Sequence, residues 1–166
     1  MADYMTGTLI LPTFALTLDP IAAIFYHEAE FDEQDDQPNG TTIAIQHEAC
    51  YGAFPELEAA LVAAGIAFDR HSDAKWDHNG EWRYFRPATS ENPRCDSIVD
   101  TLQPDEPAIT LTALTALAKT RRLSMKAIRT ALGIPADSVA QWTHRRGRRF
   151  VTHKPSTVDT GGKRNG

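Results

Sequence analysis

The stretch "ALGIPADSVAQWTHRRGRRF", residues 131–150, sets a Gly-Ile-Pro turn between two short apolar-patterned segments and ends among four arginines. It belongs to a chain of 166 residues with a formal net charge of −5. Counting by halves resolves the mismatch. Residues 1–107 hold 20 Asp/Glu and 5 Lys/Arg, a balance of −15, and residues 108–166 hold 2 Asp/Glu and 12 Lys/Arg, a balance of +10. Such an asymmetry predicts an acidic domain joined to a polyanion-binding one. A plainer reading is that opposite fields draw the two halves together.

A hydrophobic content of 42% supports a packed core. No apolar run reaches the length of a membrane span. The N-terminal "MADYMTGTLILPTF" has no basic region and its apolar run is broken by Pro12, so it does not read as a signal peptide. Cys50 and Cys95 are isolated, which suits reduced thiols in a cytoplasmic protein better than a disulfide or a metal site.

In the acidic half, "TGTLILPTFALTL" predicts a first strand, with Pro12 at an edge or an early bend. Asp19 and Pro20 predict the cap and first residue of a helix with Ile21, Ile24 and Phe25 on one face. "EFDEQDDQPNG" reads as an exposed acidic loop. "TTIAIQHEAC" alternates as a second strand. In "FPELEAALVAAG", Pro55 and Gly65 bound a helix whose Leu57, Ala60, Leu61 and Ala64 form the buried stripe; Glu56 and Glu58 suit its N-terminal dipole. "IAFDR" gives a third strand. "AKWDHNGEWRYF" predicts a hairpin around Asn79-Gly80, with either His78 opposite Glu81 or Trp76 opposite Trp82. The expected fold class is therefore α+β: an N-terminal β-α-β-α-β-β two-layer sandwich over residues 1–88. Residues 89–107, with four prolines between positions 87 and 107, read as a linker with a short helix at Cys95–Leu102. The polar tail 151–166 is expected to be disordered.

Residues 108–150 turn helical throughout and predict a small all-α domain. Leu111, Leu114, Leu117 and Ala118 share one face of a first helix. Ser124 caps a second, with Ile128 and Leu132 four apart, and Gly133 ends it. Pro135 suits the first position of a third helix, expected over Ala136–Arg146, that turns Val139 and Trp142 inward. The spacing Ile128, Leu132, Gly133, Ile134, Val139, Trp142 resembles the helix-turn-helix of the repressor families, over Leu111–Arg146. Two positions depart from that family: Arg129 stands where a small residue is usual, and Pro135 where a Ser-like cap opens the recognition helix. Arg129 points to a wider, winged or degenerate version of the motif.

The resemblance implies that the third helix enters the major groove by its N-terminal end. Asp137, Ser138, Gln141 and Arg145 would then face base edges, Gln suiting adenine and Arg guanine. Arg146, Arg148, Arg149, Lys119, Arg121 and Arg122 would hold phosphates. Proteins of this kind usually work as dimers on palindromic sites. A plain helical hairpin with a solvated basic face is the alternative.

His27, His47, His71 and His78 lack metal-ligand spacing, and no phosphate loop, nucleophile elbow or Cys/His pairing occurs, so neither enzyme, metal nor cofactor is expected. The acidic run offers a different function. Glu30, Asp32, Glu33, Asp35 and Asp36, with Trp76 and Trp82 as anchors, could mimic nucleic acid and dock on a host complex that binds it. An acidic α+β unit fused to a helix-turn-helix is similar in layout to some phage and plasmid anti-defence proteins, certain anti-CRISPR proteins among them. Two readings result: a DNA-binding regulator of a mobile element, and an anti-defence inhibitor that uses its acidic domain.

Overall fold

A computed structural model describes residues 3–27, 29–75, 78–90, 92–102, 106–119 and 124–150. The chain runs β1 (Tyr4–Pro12), a 3-10 turn (Thr13–Thr17), α1 (Asp19–His27), β2 (Glu33–Asp36), β3 (Thr41–Cys50), α2 (Pro55–Ala63), β4 (Phe68–Ser72), β5 (Gly80–Arg86), β6 (Cys95–Leu102) and β7 (Glu106–Pro107). Three helices follow: α3 (Leu111–Lys119), α4 (Met125–Ala131) and α5 (Val139–Phe150). Among the described residues the strands form one seven-stranded antiparallel sheet in the order β2-β3-β1-β4-β5-β6-β7. Its first part, β1-α1-β2-β3-α2-β4 in the order 2-3-1-4, is the split βαβ arrangement. The α+β class holds.

Side-chain alternation sorts the two faces of the sheet. Leu9, Leu11, Ala44, Phe68 and Phe85 point to one face, where Ile21 and Phe25 of α1 and Leu57 and Leu61 of α2 close the core. Each of these side chains is at most 3% exposed. Asp69, His71, Trp82, Tyr84, Arg86 and Ser97 alternate to the other face. Among the described residues, no helix is long and apolar enough to cross a membrane.

Several elements differ from the sequence expectation. β1 lies between β3 and β4, so Pro12 is not on an edge; it ends the strand where the chain bends into the 3-10 turn, the other alternative. The acidic loop contains β2, paired with β3 from Glu33↔Ile45 to Asp36↔Thr42. All four of its residues are exposed, so no buried face leaves an apolar alternation to read. The expected helix at Cys95–Leu102 is β6, paired with β5 from Cys95 to Thr101, and 89–107 therefore supplies two strands to the sheet.

Neither hairpin register at Asn79-Gly80 is adopted. Ser72 stands opposite Glu81 and His71 opposite Trp82, while Lys75 and His78 exchange backbone hydrogen bonds across the tip. Gly80 is a strand residue, and it must lack a side chain for a steric reason. A Cβ there would lie 2.9 Å from the Ser72 carbonyl oxygen and 3.1 Å from the Ala74 nitrogen.

Candidate nucleic-acid interface

Ser124 caps α4 as expected, its Oγ accepting from Ala127 N at 3.2 Å. Gly133, at φ +73°, follows the last turn. The next helix begins at Val139 and not at Ala136, so Pro135 lies in the turn. The cause is a reciprocal cap. Gln141 N donates to Ser138 Oγ at 3.3 Å and Ser138 N donates to Gln141 Oε1 at 3.1 Å. This pair satisfies two orphan N–H groups, whereas Pro135 at a first helical position only removes one. The S-x-x-Q signature of "SVAQ", residues 138–141, is the sequence signal for this start and outweighs Pro135. Val139 and Trp142 are 2% and 8% exposed, inward as expected.

The outer face of α5 carries Ser138 at its cap, then Gln141 and His144, all exposed; Asp137 is half-buried and Lys119 of α3 is exposed. Arg145, Arg146, Arg148 and Arg149 belong to α5. Their side chains, with Arg121, Arg122 and Trp76, lie outside the described residues. Gln141 Oε1 is occupied by the cap, so a bidentate grip on adenine requires that cap to open, at about 1 kcal/mol. Arg129 is exposed, and its Nη2 donates to the Pro135 carbonyl at 3.3 Å.

The turn between α4 and α5 sits on the second face of the sheet, and α5 lies against β1. Arg86 Nε and Nη2 donate to the Asp137 carbonyl at 3.3 and 3.0 Å. Ser97 Oγ donates to the Gly133 carbonyl at 2.6 Å. Arg86 also takes both oxygens of Asp69, at 2.7 and 3.2 Å. Burial pushes the Asp69 carboxyl above its usual range, and the bond and charge of Arg86 only partly oppose this. Beside it, Tyr84 is pushed up to about 12, by burial first and then by the Asp69 charge.

The acidic candidates gather at the opposite edge of the sheet. Glu30, Asp32, Glu33, Asp35 and Asp36 are all exposed. Two of them have structural work: Asp32 Oδ2 accepts from His47 N at 2.7 Å and Asp36 Oδ1 from Thr42 Oγ1 at 2.6 Å, both fastening β2 to β3. Glu33 stands 3.4 Å from His47 Nε2. Trp82 is half-buried, stacked on His71 at 4.5 Å and on Tyr84 at 5.7 Å, on the sheet's other end. The structure therefore does not bring Trp82 together with the acidic run.

A further charged cluster escaped the sequence reading. Glu58 of α2 is 2% exposed. It accepts from Phe54 N at 2.9 Å and from Arg83 Nη1 at 2.7 Å, and lies 3.3 Å from Arg70 Nε. Arg70 also pairs with Glu81, and Arg83 and Arg94 with Asp96. Glu58, Arg70, Arg83, Arg94 and Asp96, with Pro55, Val62 and Ile98, line an open groove of about 520 Å³. With Glu81 counted through its pair with Arg70, three arginines face three carboxylates in an internally balanced network that holds α2 to β4, β5 and β6. Comparison with family models, with curated proteins and with solved structures finds no match.

Proposed function

We propose that the chain is a cytoplasmic DNA-binding regulator of a mobile element that presents the outer face of α5 to the duplex. One observation carries this reading. α5 turns Val139 and Trp142 inward and leaves Ser138, Gln141 and His144 exposed, on a helix whose last two turns hold four arginines. The arginines supply phosphate contacts that fix position. With Gln141 committed to its cap, base readout is the smaller part of the affinity, and a homodimer on a palindromic site recovers specificity by using two helices. A competition gel shift tests the sequence-specific form. An enriched site should survive an excess of random duplex that removes non-specific complexes. Equal displacement by random DNA rejects specificity.

The open acidic edge favours a second reading, an anti-defence inhibitor that docks on a nucleic-acid-binding host complex. Glu33, Gln34, Asp35 and Asp36 are all exposed on an edge strand. The discriminating variant replaces Glu30, Glu33 and Asp35 by Ser and keeps Asp32 and Asp36, which fasten β2. Loss of inhibition with DNA binding intact supports this reading, and unchanged inhibition removes it.

A further inference from the structure

Arg86 joins the sheet to the turn that precedes α5. It is 4% exposed, and each of its three side-chain nitrogens donates. Nη1 reaches the carbonyls of Phe68 at 3.0 Å and Phe85 at 2.9 Å as well as Asp69, and Nε and Nη2 converge on the Asp137 carbonyl. Ser97 grips the other end of the turn. Its Oγ holds the Gly133 carbonyl, and a Cβ on Gly133 would come within 2.9 Å of Ser97 Cβ. The turn is thus held at Gly133 and at Asp137, and α5 leaves it with Val139 and Trp142 buried. Docking covers the face opposite Ser138 and Gln141, so it leaves the outer face open.

We infer that Arg86 is a positioning residue for DNA binding: by clamping the turn onto the sheet it makes the docked α5 the binding-competent state. The inference rests on the reading of α5 given above. A helix that pivots on its connecting turn spends only a fraction of its time correctly presented, and apparent affinity falls by that fraction. The clamp needs the planar fork of arginine. A lysine is a point charge and cannot reach Asp69, two strand carbonyls and Asp137 together.

The test uses the full chain with Arg86→Lys and, separately, Ser97→Ala, which leaves the Asp69–Arg86 pair in place. Amide exchange over residues 139–144 and over β1–β4 is compared with the affinity for one fixed duplex. In each variant, exchange protection of α5 should fall by about 10-fold while the sheet keeps its own, and Kd should rise by a similar factor. Saturating DNA should restore the protection. Loosened α5 with unchanged or tighter Kd overturns the inference, because the docked helix is then not the competent state. Unchanged α5 protection in both variants overturns the clamp itself. A wild-type protein that binds no DNA at low salt removes the proposed function, and the competence claim with it, while the exchange comparison still decides whether Arg86 and Ser97 hold the turn.

Discussion

Gly80 and Glu58 show what a local reading of single residues can and cannot reach. Asn79-Gly80 looks like a hairpin turn because glycine most often serves a left-handed backbone. Here it serves a close approach to Ser72 and Ala74, made by a strand neighbour outside the local window. Gly80→Ala should destabilise by about 2–4 kcal/mol in urea unfolding, since backbone must shift to admit the methyl group. Glu58 looks like a dipole-matching residue of the first helical turn. Its partners Arg70 and Arg83 come from two later strands, so nothing beside it in the chain announces burial. Glu58→Ala leaves buried Arg70 with Glu81 alone and takes the acceptor from Phe54 N, and should cost about 2–4 kcal/mol. Tyr84 adds a pH signature. With its folded value pushed to about 12 against an ordinary 10.0, the native chain keeps a proton that the unfolded chain has lost. Stability should therefore fall as pH rises from about 10 to about 12, and Tyr84→Phe should remove that part of the alkaline decline in a pH series of denaturation curves.

Elements were legible where one face is buried and the other wet. "TTIAIQHEAC" forms β3 as expected, although Thr42 and Ala44 take the core face and Ile43 and Ile45 are half-buried on the other, and α2 is bounded by Pro55 and Gly65. β2 has no buried face, so its charges read as a loop although they suit an edge strand that must resist further pairing. β6, "CDSIVDTL", has one short apolar pair, Ile98-Val99, which fits helix or strand equally; pairing with β5 decides it. For α5 the competing start signals were Pro135 and Ser138, and the reciprocal cap prevails. Ser138→Ala should lower stability by about 1 kcal/mol in thermal or urea unfolding, with the loss expressed as earlier exchange of the first turn of α5.

At the scale of the whole molecule, β1, α1, β3, α2, β4 and β5 were readable in their order, but β2, β6, β7 and the pairing were not. The 2-3-1-4 arrangement places β1 between two strands that follow it in the chain, a relation carried by long-range packing and by no local motif. The charge division is a division of composition, with two expected consequences: attraction between the halves and attraction to a polyanion. The contacts that join the halves, from Arg86 Nη2 to the Asp137 carbonyl and from Ser97 Oγ to the Gly133 carbonyl, are hydrogen bonds to neutral backbone groups and do not draw on that charge division. They leave the exposed side of α5 for the second. The candidate surface could be located in the sequence to within one helix. Its docking on the sheet could not, since the residues that hold it lie in β5 and β6.

The most direct measurement is the salt dependence of duplex binding by fluorescence anisotropy, for the full-length protein and for a variant with Arg145, Arg146, Arg148 and Arg149 replaced by Gln. Each phosphate contact contributes about −0.9 to the slope of log K against log salt concentration. If α5 is the DNA surface, the variant should bind more weakly and its slope should shrink by about 2–4. A variant that keeps the wild-type affinity and slope contradicts it.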